Sequence, residues 1–324
     1  MDKGGFVSVL IMREQSTVKI GGHITLLFSI HKNQLLTRNQ GSRGAGFCLA
    51  DGVEASVTAI PGDEDRIEVS AMDQTPLEGG EDFYREFLKE LRLLDRRFRG
   101  SYSITIDISL PVSQGFGMSA AGLCALGLAL CQLHEITPTD GVIRLAHRLE
   151  LQRSGGLGDV LGIYGGGVEL RYRAGSPPSP GAVVGFPAED RVLLVWKPGE
   201  ERHTSSYIDD PKWMNDITMA GEHSVNRLAE GEWTESKWVK LVEESKIFAE
   251  KSGLADEPHR KDLLDLVEGA IIEFDAEKYL TVLLCMLGTS AVVVPRFLGT
   301  KHKLEPIMDL LRSEGLGVRE TKIG

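Results

Sequence analysis

Pro111 to Gly127 reads PVSQGFGMSAAGLCALG: a loop with two glycines, Gly115 and Gly117, that runs through Ser119 into an alanine-rich helix. Just before it, Tyr102, Ile104, Ile106, Ile108 and Leu110 alternate with Ser103, Thr105, Asp107 and Ser109, the period of a half-buried strand. Strand, glycine loop and helix in succession aim free backbone N–H groups and the positive end of the helix at the loop's occupant, and an anion is the natural occupant. The stretch predicts a phosphate site.

Upstream, Phe6 to Met12 and Thr17 to Ile20 read as short strands, and GGHITLLFSIH (Gly21 to His31) is followed by the polar loop KNQLLTRNQGSRGAG, where Arg43 sits among Gly41, Gly44 and Gly46. Val53 to Ile60 and Arg66 to Ala71 predict two strands of a hairpin across the turn Pro61 to Asp65. Phe83, Phe87, Leu91, Leu94 and Phe98 recur at helical spacing between charges, so Glu81 to Phe98 predicts an amphipathic helix packed on a sheet.

Downstream, TPTD (Thr137 to Asp140) opens a helix reaching about Arg153. SGGLGD (Ser154 to Asp159) is a glycine-rich turn, and Gly165 to Gly167 precede a strand from Val168 to Tyr172. AGSPPSPGA, Ala174 to Ala182, breaks all periodicity and marks the expected boundary between a unit 1–175 and a unit 176–324. Beyond it come a strand over Arg191 to Trp196 and helices over Thr234 to Lys251, His259 to Phe274, Ala276 to Leu287 and Lys303 to Arg312.

A formal net charge of −11 argues against a general nucleic-acid binder, which needs a basic face. No apolar run reaches the ~18 residues needed to span a bilayer; the most apolar stretch, Ala120 to Leu133, is too short. The first residues do not read as a signal peptide, either Met1 or Met12 suits a start, and a cytoplasmic location is expected. Cys48, Cys124, Cys131 and Cys285 form no CxxC pair, so buried free thiols and no structural zinc are expected.

Gly115, Gly117 and Ala120 also fit the GxGxxA dinucleotide fingerprint, but Pro111 to Gln114 intervene after the strand, and Glu135 stands in a loop where an acid ending a second strand is required. No Lys follows the glycines, which removes a Walker A loop. Phosphoryl transfer needs donors around the phosphates, a magnesium ion and a carboxylate near the acceptor hydroxyl. Ser119 can offer a hydroxyl to the metal, Glu150 a carboxylate, and Asp159 can face the acceptor. On the residues alone, a plain N-cap at Ser119, a solvated Glu150 and a turn residue at Asp159 stay open.

PVSQGFGMSAAG resembles the second motif of the GHMP kinases, usually P-x-x-x-G-L-G-S-S-A-A. More narrowly, GHIT (Gly22 to Thr25), GSRGAG (Gly41 to Gly46), QGFGMS (Gln114 to Ser119), GLGDV (Gly156 to Val160) and MLGTS (Met286 to Ser290) together resemble the archaeal pantoate kinase family. The usual proline of the first motif is Gly21 here, and Met118 stands where most GHMP kinases have the first serine. The resemblance implies an α+β fold with an N-terminal domain like the second domain of ribosomal protein S5, a C-terminal ferredoxin-like domain, and ATP and Mg2+ in the cleft between them. The implied reaction phosphorylates the terminal hydroxyl of pantoate on the archaeal route to coenzyme A; mevalonate, homoserine and shikimate are rival acceptors, and a dinucleotide-dependent oxidoreductase is the alternative from another class.

Position by position, the resemblance places Pro111, Gln114, Gly115, Phe116, Gly117, Met118, Ser119 and Ala120 in the nucleotide loop, Ser119 and Glu150 at the metal, and Asp159 at the aspartate that activates the acceptor. Pantoate is a small carboxylate with a geminal dimethyl group, so its site needs a cation or a set of N–H donors at one end and apolar walls in the middle. Arg43, between glycines, is the first expectation if that group is a cation, with His23 and Arg38 next; a structural role for Arg43 as a donor to loop carbonyls stays open. The expected partner is a small molecule, with no nucleic acid and no membrane, and a homodimer is kept open as an assembly.

Overall fold

The computed structural model describes residues 14–137, 140–153, 156–199, 207 and 209–324. The expected strand Phe6 to Met12, the candidate starts Met1 and Met12, part of TPTD and the opening of SGGLGD lie outside the described residues.

Two sheets organise the chain. The first is built from β1 (Gln15–His31), β2 (Gly41–Ile60), β3 (Arg66–Ser70), β4 (Ser101–Ile108), β5 (Val168–Arg173) and β6 (Ala182–Phe186), in the order β3-β4-β2-β5-β6 with β1 along the other edge of β2. The second is antiparallel, β10-β7-β9-β8, from β7 (Arg191–Trp196), β8 (Leu280–Cys285), β9 (Ser290–Pro295) and β10 (Gly317–Lys322). Since β6 still pairs with β5, the chain changes sheet between Phe186 and Arg191.

Eight helices among the described residues cover these sheets. They are α1 (Gly80–Leu94), α2 (Met118–Leu133), α3 (Asp140–Gln152), α4 (Asp159–Gly165), α5 (Pro211–Leu228), α6 (Trp238–Lys251), α7 (Pro258–Glu273) and α8 (Glu305–Ser313). α2 is apolar nearly all round, and thirteen of its residues are buried because it lies between the first sheet, α1 and α3. α7 and α8 place Leu263, Val267, Ile271, Ile307 and Leu311 against Leu193, Val195, Val282 and Val293, which forms a second core under the second sheet.

Three expectations need correction. The predicted hairpin does not form: β4 lies between β2 and β3, antiparallel to the first and parallel to the second, because α1 carries the chain across the sheet. GSRGAG is not a loop but the start of β2, paired with β1 and β5. Ala276 to Leu287 is not a helix but contains β8, a fully buried strand whose continuous apolar run carries no period to separate strand from helix.

Candidate active site

The phosphate loop bends through left-handed backbone at Ser113 (φ 59°), Gly115 (φ 77°) and Gly117 (φ 70°) before α2 begins. Gly117 is the residue before the helix, no side chain caps its first N–H groups, and its first turn carries no acid, so the positive end of α2 is open. A Cβ on Gly117 would sit 2.9 Å from the backbone nitrogen of His23, and one on Gly115 would sit 3.0 Å from the carbonyl of Met286. Both positions therefore need glycine for conformation and for space. The loop is pinned from behind: the His23 N–H donates to the Phe116 carbonyl at 2.9 Å, and the Ser290 hydroxyl donates to the Gln114 carbonyl.

The loop opens on a cleft of about 340 Å³ lined by Pro111, Gly115, Phe116, Gly117, Met118 and Ser119 with Met286 beside Gly115, by Thr25 and Ser42 from the first sheet, and by Arg153, Gly156, Gly158 and Asp159. Of the eight residues expected at the nucleotide, Gln114 and Ala120 do not line it; both are buried behind the loop. Met118 packs over Gly22, where a Cβ would lie 2.5 Å from the Met118 Cε, so the methionine and the glycine of GHIT form one joint.

Asp159 lines the cleft and Glu150 lies buried just behind its wall, the two meeting at Gly156. A Cβ on Gly156 would meet Asp159 Oδ2 at 2.2 Å and Glu150 Oε2 at 3.0 Å, so Gly156 leaves both oxygens their room. Glu150 is 2 % exposed and neither of its oxygens has a hydrogen-bond partner. Burial and the charge of Asp159 push it up to about 8; the Ser119 hydroxyl lies beside it without completing a hydrogen bond and offsets the rise only in part. A buried orphan acid of this kind is suited to a cation. Glu150 and the Ser119 hydroxyl offer two oxygen ligands at the edge of a phosphate loop, the few-ligand arrangement magnesium accepts when phosphates and waters complete its shell. Among the described residues no cluster of three or more His, Cys, Asp or Glu could hold a metal by itself.

Behind Asp159 lies a buried polar layer on one face of three adjacent strands. His23 Nδ1 is 2.8 Å from Asp159 Oδ1, and Nε2 is 3.0 Å from Glu169 Oε1. Arg171 donates to Thr25 Oγ1 at 3.2 and 3.3 Å and lies 3.6 Å from Glu169, and Thr25 donates to Asp159 at 3.4 Å. The glycines of GSRGAG make room for this layer: a Cβ on Gly44 would strike an Arg171 nitrogen at 2.4 Å.

The residues expected at a substrate carboxylate are placed elsewhere. Arg43 neighbours the cleft-lining Ser42 on β2 and so points to the opposite face. There it pairs with Glu222 of α5 and donates to Asn226 Oδ1 at 2.9 Å and to the Tyr172 carbonyl at 3.0 Å. Arg38 lines a separate hollow with Arg144, His147 and Arg148. His23 is wholly buried below the cleft surface. Sequence reading missed Ser42, Thr25, Glu169 and Arg171, which are brought together only by the pairing of β1, β2 and β5.

Residues 83–167 match the model of the GHMP kinases N-terminal domain. The chain is 30% identical over 238 residues to a pantoate kinase of Thermococcus kodakarensis, covering 72% of this chain and 75% of that protein. It is 27% identical over 298 residues to a pantoate kinase of Methanocaldococcus jannaschii, covering 90% and 96% respectively. A solved structure described as a phosphotransferase related to the CoA biosynthesis pathway superposes with a TM-score of 0.73 at 25% identity, over 95% of this chain and 96% of that one. With the open α2 terminus, the paired acids and this likeness over most of its length, the chain belongs to the pantoate kinase family of the GHMP kinases.

Proposed function

We propose that the chain transfers the γ-phosphoryl group of ATP to the primary hydroxyl of pantoate, giving 4-phosphopantoate for coenzyme A biosynthesis. The observation that carries the chemistry is the meeting of the open α2 terminus and the half-buried Asp159 on one cleft, with the orphaned Glu150 buried immediately behind Gly156. The acceptor is taken from the relatives named pantoate kinase.

In this reading the N–H groups of the loop and of the first turn of α2 bind the phosphates. Ser119 and Glu150 would hold magnesium, which when bound offsets the charge of the phosphates. Asp159, with Oδ2 toward the cleft, orients the acceptor hydroxyl and takes its proton. The substrate expectation for Arg43 and Arg38 is not carried forward, because neither lines the cleft; the arginine that does is Arg153, and Arg171 lies fully buried beneath Thr25. The turn Met286 to Ser290 packs against Gln114 and Gly115 at the back of the loop, and the change of sheet falls between Phe186 and Arg191, beyond the expected division into units 1–175 and 176–324, because β6 still pairs with β5.

The test is ADP release with pantoate, mevalonate, homoserine and shikimate at equal concentration. Pantoate is expected to be the fastest acceptor by at least about a hundred-fold in kcat/KM, since a site built around one carboxylate and hydroxyl leaves its polar groups unpaired with the wrong acid. An equal or faster rate with another acceptor would remove pantoate from the assignment.

A further inference from the structure

His23 has no exposed surface, and each of its ring nitrogens faces a carboxylate oxygen. An imidazole satisfies two carboxylates only when both nitrogens carry hydrogen; the neutral ring would turn a lone pair on one of them. The charged groups around the ring come from three elements: Asp159 from α4, and Glu169 and Arg171 from β5, with Glu150 of α3 beyond Asp159. Cys48 of β2, the other titratable neighbour, is pushed up to about 12 by burial and stays a neutral thiol. Signs alternate along the line from Asp159 through His23 and Glu169 to Arg171.

The ring has nowhere else to go. A Cβ on Gly162 of α4 would lie 2.3 Å from its Nε2, and Gly117 touches its backbone. Asp159 Oδ1 is consequently taken up by His23 and Thr25, while Oδ2 is the oxygen turned toward Gly156 and Glu150. Burial alone would lower His23 and raise Asp159. The two carboxylates instead hold the imidazole above its ordinary value, and His23, Arg171 and Thr25 hold Asp159 below the usual carboxylate range.

We propose that His23 and Glu169 are positioning residues that clamp Asp159 from behind and so fix which of its oxygens meets the acceptor hydroxyl. The inference rests on the reading of Asp159 as the proton acceptor. In the step it serves, the acceptor O–H bond breaks and the proton passes to Asp159 Oδ2. The freed oxygen bonds to the γ-phosphorus, and the bond to the β-phosphate oxygen breaks with its electron pair leaving on ADP. His23 contacts neither substrate nor nucleotide and keeps its protons throughout.

The test is steady-state kinetics of Glu169→Gln over about pH 6 to 9. With one carboxylate removed, His23 loses its second proton more readily. Turnover should therefore fall about ten- to a hundred-fold, fall further as pH rises past neutral, and leave KM for ATP and pantoate within about twofold. Glu169→Asp, which keeps the charge, should retain the wild-type pH profile at reduced rate, and it carries the test if the amide variant does not fold. In an Asp159→Asn background, Glu169→Gln should cost nothing more. Wild-type turnover of Glu169→Gln at every pH, or a loss uniform in pH and shared with KM, would overturn the clamp. If Asp159→Asn itself keeps near-wild-type turnover, the proton-acceptor reading fails first and takes the clamp with it.

Discussion

Ser42 and Arg43 are neighbours in the chain and face opposite sides of the molecule. Ser42 lines the cleft, and Arg43 ties β2 to α5 through Glu222, whose carboxyl is held below its usual range despite partial burial by Ser29, His31 and Arg43. Removing Arg43 leaves Glu222 and Asn226 without that partner. Arg43→Ala should cost about 1–2 kcal/mol of stability, read as a lower melting temperature, with KM for pantoate unchanged. A raised KM at unchanged stability would return Arg43 to the substrate. The placement of Arg43 could not be read from GSRGAG, because a run rich in glycine reads as a loop, and only strand pairing shows that Gly44 is there to admit Arg171. Asp159, Ser119 and Glu150 were legible, since their motifs are contiguous or one helix apart. Glu169 and Arg171 were not: in VELRY they read as the solvent side of an alternating strand, and both are fully buried.

At the scale of elements, the loop and α2 work as one piece. Periodicity located α1, α2, α3, α6, α7 and α8 because each shows an apolar face or a marked start. It failed at β8, whose residues are buried on both faces, and at the parallel pairing of β3 with β4, which depends on a crossover that turn residues do not reveal. The join between loop and helix is the most demanding point: Gly117 has φ 70° and the backbone of His23 pressed against it. Gly117→Ala would add the roughly 1–2 kcal/mol cost of left-handed backbone to that contact. The expected outcome is KM for ATP raised at least about tenfold, with a matching loss of nucleotide affinity in a binding titration. Unchanged ATP affinity would show that the N–H groups of this turn do not bind the phosphates.

At the scale of the whole molecule, stability and function compete at Glu150. Its ordinary value is 4.5 and burial raises it to about 8, so the unfolded chain gives up the proton first. The stabilisation from the protonated acid is complete below about pH 4.5 and is lost progressively up to about pH 8. Glu150→Gln removes this decline. Without nucleotide and magnesium, the variant should melt several degrees above the wild type at pH 8 and near it at pH 5, whereas with both present the order at pH 8 should reverse, as ligand stabilises only the chain that binds it. Thermal melts at the two pH values check this, and a variant that also gains stability from the nucleotide would clear Glu150 of any part in holding metal. The same global view applies to β2, a single strand from Gly41 to Ile60 that pairs with β1 along one edge and with β5 and then β4 along the other. Its alternation acts as a parity rule for the molecule: deleting one residue from its middle would move every side chain before the deletion to the other face, carry Arg43 into the cleft and turn Ser42 out toward α5. Which of Ser42 and Arg43 faces the cleft is therefore set by an even or odd count along one strand, and loops that change length elsewhere leave that count untouched.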